Sequence, residues 1–366
     1  MSEAETEETD DEQEETAPDA EESASSDADA PAPVGVKLGS TRTVLATDDD
    51  LVESLTCLAS YEDALTGDDR YLYGEEAALE YPEAVEFMLR SGLPEDDDRA
   101  DLAATFFEEL LAEHDVADDS VVVYAIPTIE NDEGLANLSA VIEDSAIGEQ
   151  HIRSYPESLC SAVPALGDGL EAIERIFVGV NMGSTNLEAS AYRRGEQLTR
   201  FATGSVTGNE IDRRIANYVE DETQGRVNID LTTAREYKEN HADFEDFQPF
   251  TDVIQQPGGG SHEFTIERSV MDALDEYVDE AVDAIANSFL PQVANDYMKT
   301  YNIALDHPIV LTGGMTAVPG LADEFEERLS EELQREVSVV APDDPVVAAA
   351  TGARRIAEQL VKRDAY

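Results

Sequence analysis

Apolar residues recur along the chain in two registers. Between 34 and 46 the stretch VGVKLGSTRTVLA runs from β-branched residues into a Gly-Ser-Thr turn and back into apolar residues. That pattern predicts a strand, a tight turn and a return strand. The same construction returns at 177–192 as FVGVNMGSTNLEASAY, in a second unit that opens at Ile176. SVVVYAIPT at 120–128 is a continuous apolar run ended by Pro127, the signature of a buried, central strand. Helical spacing governs other stretches. RADLAATFFEELLAEH at 99–114 puts Leu102, Phe106, Leu110 and Leu111 on one face, and 204–222 is a Gly-bearing loop feeding a helix with Ile211, Ile215 and Val219 four apart.

The remaining segments fill in between these. A short strand leads into a helix over 69–90 with Gly74 at the turn, and another helix covers 130–148. A further helix begins in YPESLCSAVPALGDG at 155, where Pro156 suits a first turn. A polar helix spans 232–244, and two strands meet at the Pro-Gly-Gly-Gly turn of 257–260. A long helix is expected from about Ile266 to Lys299, then a strand, a glycine turn and a helix from 307, and a last helix from near Pro345.

Composition sharpens this outline. A chain of 366 residues fits two lobes, each with its own core, and an apolar fraction of 42% is ordinary for a folded body. The charge is not ordinary, because 83 acids stand against 23 bases. The first 33 residues hold 14 of those acids, no Lys or Arg and no aromatic residue, which predicts a disordered acidic tail. Self-repulsion of this size is tolerable in molar salt, where the Debye length falls to about 3 Å, so the composition reads as halophilic. The same charge argues against binding nucleic acid or an anionic membrane. Cys57 and Cys160 have no ligand spacing and read as small buried hydrophobes. No signal sequence or membrane span is visible, which predicts a cytoplasmic location.

A single glycine turn is most simply a hairpin. Here two strand-turn-strand units, with Gly39-Ser40-Thr41 and Gly183-Ser184-Thr185, are followed by a strand-to-helix turn at Gly313-Gly314. Backbone N–H groups freed in such turns form concavities for phosphate oxygens. Two facing hairpins would clamp a polyphosphate from opposite lobes.

With these motifs in order, the chain resembles the actin-like ATPase superfamily, which includes actin, MreB filaments, heat-shock chaperone ATPases and sugar kinases. The resemblance covers 34 to about 358 and is nearest to MreB-like and archaeal actins, with the acidic composition pointing to haloarchaeal homologues. It implies an α/β actin-like fold with two lobes, each a mixed sheet flanked by helices, around a nucleotide cleft. Lobe I would span 34–175, with its core in 34–57 and 115–175 and an accessory subdomain and returning helix in 58–114. Lobe II would span 176–344, with its core in 176–215 and 262–344 and an accessory subdomain in 216–261. The C-terminal helix of 345–366 would pack back on lobe I.

The resemblance also implies roles. The turns Gly39, Ser40, Thr41 and Gly183, Ser184, Thr185 match the two phosphate loops. Glu157 in PESLCSAV falls where the family places its water-orienting Glu or Gln, and Gly208 would lie near the phosphates. Lys238 and Glu239 in TAREYKE would lie by base and ribose, with Gly313, Gly314 and Met315 under the nucleoside. Implied cofactors are ATP or ADP with Mg2+, the ion reached through phosphates and water near Asn181. The chain departs from the family at two places, with Lys37 and Asn181 standing where the family has carboxylates. Lys37 could meet the β/γ-phosphates as a point charge, and Asn181 could still accept from a metal-bound water. The implied function is a cytoskeletal, slowly hydrolysing ATPase that self-associates head to tail into dynamic filaments. A nucleotide-binding scaffold with little hydrolysis is the alternative. Direct contact with nucleic acid or membrane is not expected.

Overall fold

Two sheets of the same construction organise the protein, seen here in a computed structural model that describes residues 31–147, 151–167, 169–256 and 260–363. The expected acidic tail up to 30 and the glycine turn at 257–259 lie outside the described residues. The first part of the chain runs β1 (Ala32–Leu38), β2 (Arg42–Ala46), β3 (Leu51–Leu55), β4 (Cys57–Glu62), β5 (Asp69–Tyr73), α1 (Gly74–Glu80), β6 (Val85–Phe87), α2 (Asp97–Glu113), β7 (Ser120–Ile126), α3 (Asp132–Glu143), β8 (His151–Pro156) and α4 (Glu157–Ala165). The second runs β9 (Ile176–Met182), β10 (Leu187–Arg193), β11 (Glu196–Thr203), α5 (Gly208–Glu222), α6 (Leu231–His241), β12 (Phe250–Gln256), β13 (Gly260–Ile266), α7 (Ser269–Asp283), α8 (Leu290–Ala304), β14 (Ile309–Thr312), α9 (Leu321–Leu333), β15 (Val339–Val340) and α10 (Ala348–Lys362).

One five-stranded sheet has the order β3-β2-β1-β7-β8 and the other β11-β10-β9-β14-β15. In each, the antiparallel hairpin side gives way to parallel pairing at the same place, β1 with β7 and β9 with β14. The repeated strand-turn-strand motif is therefore the start of a repeated sheet. A three-stranded sheet of β5, β4 and β6 and a two-stranded sheet of β12 and β13 are the smaller appendages.

The buried strands explain their apolar runs. Along β7, Val122 and Tyr124 pack with Phe106, Phe107 and Leu138 of α2 and α3. Val121, Val123 and Ala125 pack on the opposite face with Cys160 of α4 and Ala353 of α10. Both faces are covered, so apolar residues are continuous rather than alternating. Helix α4 lies between the sheets, because its Leu159 and Ala162 pack with Phe177, Tyr192 and Val310 of the second sheet. Helix α10 crosses it so closely that a Cβ on Gly352 would overlap the carbonyl of Cys160. Both cysteines are buried.

Several boundaries differ from the sequence expectation. Strand β1 begins at Ala32, inside the segment expected to be tail. Tyr155 and Pro156 close strand β8 instead of opening a helix, pairing with Ala125 and Ile126 of β7. A proline is tolerated there because β8 is an edge strand. The long helix starts at Ser269, since Ile266 belongs to β13, and it continues to Ala304. A π-helical turn at Ala284–Phe289 interrupts it just before Pro291, whose missing N–H and ring disrupt regular α-helix bonding. The last helix begins at Ala348 rather than near Pro345. The sequence reading also passed over β3, β4, β6, β11 and β15.

Candidate functional site

The two Gly-Ser-Thr turns are built alike. The Gly39 N–H donates to the carbonyl of Arg42 at 3.1 Å, and the Gly183 N–H to that of Asn186 at 2.9 Å. A Cβ on either glycine would sit only 2.6 or 2.9 Å from the carbonyl it bonds, so a side chain does not fit at either turn. The turns face each other. Ser40 Oγ lies 3.2 Å from Thr185 Oγ1, and Thr41 Oγ1 donates to Ser184 Oγ at 3.0 Å. Second residue meets third, and third meets second, as an approximate twofold axis between repeats requires. Ser40 Oγ also accepts from the Gly92 N–H at 2.7 Å, which ties the first turn to the segment after β6.

Beside these turns opens a cavity of about 310 Å³. Every residue singled out in the sequence lines it: Lys37, the first turn, Glu157, Asn181, the second turn, Gly208, Lys238, Glu239, and Gly313 to Met315. Thr207 caps α5 by accepting from the Glu210 N–H, which brings Gly208 to the helix start. There the Gly208 and Asn209 N–H groups donate to the carbonyls of Gly183 and Ser184 at 3.0 and 2.9 Å, fixing α5 on the second turn. Gly313 has φ +94, and a Cβ there would overlap the Met182 carbonyl, so only glycine suits this strand exit. A Cβ on Gly314, by contrast, would meet nothing within 4 Å. Met315 is buried with its Sδ against Gly208.

The charged groups pair in ways that spacing does not reveal. Lys37 Nζ lies 2.9 Å from Glu157 Oε1, with both side chains about 15% exposed (16% and 15%). Asn181 is buried, and its Oδ1 accepts from Thr312 Oγ1 at 3.4 Å. Lys238 is not on a solvated helix face. Its ammonium lies 2.5 Å from Asp212 Oδ1 and donates to the Gly208 carbonyl at 3.2 Å. Burial holds it below the usual lysine value, with Asp212 opposing. Arg235 shares Asp212 at 3.3 Å, so α6 is tied to the first turn of α5. Glu239 remains half-exposed, 3.9 Å from Arg42 of β2, a contact from α6 to the strand after the first turn.

Glu188 was missed in the sequence. It lies on β10 directly opposite Asn181, is 2% exposed and lines the cavity. The Thr128 N–H donates to its Oε2 at 2.6 Å and the Asn186 side-chain amide donates to Oε1. Burial, then the charge of Glu157, push its carboxyl up to about 7. Because Thr128 follows β7, this carboxyl bridges the two sheets. A positional comparison of the repeats could have found it, since Lys37 faces Val44 in the first as Asn181 faces Glu188 in the second. Arg42, Asn186, Asn209 and Arg235 also line the cavity and were not singled out.

Chemically, the arrangement offers opposed backbone turns with hydroxyl rims, the ammonium groups of Lys37 and Lys238, the inner carboxyls of Glu157 and Glu188, and an open floor at Gly314. Among the described residues no helix is long and apolar enough to cross a membrane. The salactin family model matches residues 31–361. The salactin of Halobacterium salinarum is 64% identical over 340 residues, covering 92% of this chain and 94% of that protein. Among solved structures, MreB5 of Spiroplasma citri bound to ADP is similar with a TM-score of 0.72 at 15% identity, covering 90% of this chain and 97% of that one. A MamK double helical filament is similar with a TM-score of 0.72 at 18% identity, covering 89% and 98%. The fold is actin-like.

Proposed function

We infer the function from the family to which the chain belongs, the salactin family of actin-like cytoskeletal proteins. We propose that it binds ATP or ADP between its two sheets and polymerises head to tail into dynamic filaments, with slow hydrolysis promoting disassembly. The observation that carries this reading is the reciprocal facing of the two turns, Ser40 to Thr185 and Thr41 to Ser184, at one cavity. The similarity to an ADP-bound MreB5 and to a MamK filament supports it.

A nucleotide fits the residues present. The turns at Gly39 and Gly183 offer amide concavities to phosphate oxygens, and the open side of Gly314 leaves room for a flat base and sugar. Such a ligand would supply a phosphoanhydride bond and a bridge between the sheets. Arg42 and Glu239, 3.9 Å apart on the cavity wall, then link β2 to α6, and α4 with α10 forms the packed link about which the halves can close. Closure that aligns the surfaces of successive copies generates an open filament. Magnesium fits less well as an ion held by the protein. Among the described residues no group of three His, Cys, Asp or Glu side chains could hold a metal. Near the turns, Glu157 is paired with Lys37, and Glu188 is satisfied by Thr128 and Asn186.

Light scattering of the full chain in molar potassium chloride tests the reading. ATP should raise the signal above a critical concentration, with phosphate released afterwards. A flat signal at every protein concentration would count against it. The engagement of Glu157 by Lys37 favours one variant of the proposal, a nucleotide-binding scaffold with little hydrolysis. Filaments without phosphate release would select it.

A further inference from the structure

We propose that Lys37 is the resident cation of the phosphate end of the cleft, so that nucleotide affinity in this chain does not depend on magnesium. The proposal rests on the reading of the cleft as a nucleotide site. Phosphate groups packed against a protein need counter-charge, supplied by a metal ion or by a fixed ammonium or guanidinium. The cavity wall carries four such groups: Lys238 and Arg235 are held by Asp212, Arg42 is held by Glu53, and Lys37 lies beneath the first turn. Lys37 lies two residues before Gly39 on β1, and its Cε would be 3.3 Å from a Cβ on that glycine, so its stem runs beneath the first turn. Its ammonium ends 2.9 Å from Glu157 in a largely shielded position on the cavity wall. There charge is less screened than on the surface.

The groups around Lys37 point the same way. The matching position of the second repeat is the neutral Asn181, whose Oδ1 faces Thr312. Glu188 spends both carboxyl oxygens on Thr128 and Asn186. Glu157 is balanced by Lys37, and Glu53 and Glu239 of the same cavity lie 2.9 and 3.9 Å from Arg42. Two carboxylates aimed at a hydrated metal would require that ion to offset their repulsion of phosphate. One ammonium paired with one carboxylate, opposite an amide, does not. Lys37 can swing from Glu157 towards a terminal phosphate, because three donors on a flexible stem serve either partner. That transfer frees Glu157 to orient water. The metal's electrostatic role thus passes to a side chain, and Glu157 becomes available only when an anion is present to draw Lys37 away.

The experiment is calorimetric titration of the full chain with ATP and with ADP in molar potassium chloride, once with magnesium chloride and once with excess EDTA. The expected dissociation constants agree within about threefold between the two conditions, less than one charge-assisted contact is worth. Lys37→Met should weaken ATP binding about tenfold or more in EDTA, the loss expected for one ionic contact. Lys37→Asp should make binding depend on magnesium. Wild-type binding that disappears in EDTA would overturn the proposal, whether or not the variants fold. So would unchanged affinity in a folded Lys37→Met protein, which would assign the charge to another cation of the wall, such as Arg42, or to bulk potassium. Absence of binding in both conditions would instead overturn the nucleotide reading itself, and the proposal with it.

Discussion

Ser40 of the first hairpin and Thr185 of the second bring their hydroxyls to 3.2 Å across the cleft, and the contact is answered by Thr41 and Ser184 at 3.0 Å. Neither pair is local, since each joins residues more than 140 positions apart (145 and 143). They arise because two copies of one sheet order meet through α4 and α10. The hydroxyl rims therefore hold the halves together at the place where the amide turns converge.

A double-mutant cycle of Thr41→Val and Ser184→Ala should give a coupling of about 1 kcal/mol, the net worth of one partly buried hydrogen bond. Thermal unfolding in molar salt measures it. Additive effects of the two substitutions would mean that the rims do not interact in solution.

Glu188 gives a pH signature. Its folded-state carboxyl titrates near 7 against a reference of 4.5, so the protonated form is favoured in the folded protein. This contribution is fully present below 4.5 and is lost as pH rises through 7, in total about 3 kcal/mol for such a shift. Glu188→Gln should remove this slope. Unfolding free energies at several pH values between 4.5 and 7 should fall for the parent relative to the variant. Parallel curves would contradict the buried placement.

Arg328 stands among three acids, with Asp275 at 2.7 Å, Asp279 at 2.8 Å and Glu324 at 2.6 Å. Arg328→Met would leave them facing one another. The expected loss is about 1 kcal/mol in molar salt, because the carboxylates are partly exposed, and more as screening is withdrawn. Melting temperature against potassium chloride concentration should be steeper for the variant.

Gly314→Trp tests the floor of the cavity. The backbone there is open to a side chain, so the protein should fold with unchanged melting temperature. ATP binding should fall by about 100-fold or more, as a bulky ring fills the space for the nucleoside. Normal affinity would displace the nucleoside from this surface.

Glu157→Ala separates assembly from hydrolysis. Phosphate release should slow by about 100-fold, the range for losing one group that positions a reactant. Light scattering with ATP should still rise. Unchanged release would remove Glu157 from the reaction.

The duplicated architecture was readable because each sheet begins with the same strand, Gly-Ser-Thr turn and return strand, a local pattern. The residues gathered at the cavity followed from those turns and from the resemblance. What escaped was set by distant partners. Glu188 looks like an ordinary strand acid until Thr128 and Asn186 close over it. Lys238 looks solvated until Asp212, on a different helix, buries its ammonium. Strand β8, reading HIRSYP, lacks a continuous apolar run because it lies at a sheet edge, and pairing with β7 alone reveals it.

A cryo-electron map of the full chain polymerised with ATP in molar potassium chloride tests the central claim most directly. The account predicts filaments whose subunits hold triphosphate density between Gly39–Thr41 and Gly183–Thr185, with the base over Gly314. Filaments in which those turns remain bonded to each other, with the nucleotide bound elsewhere or not at all, would contradict it.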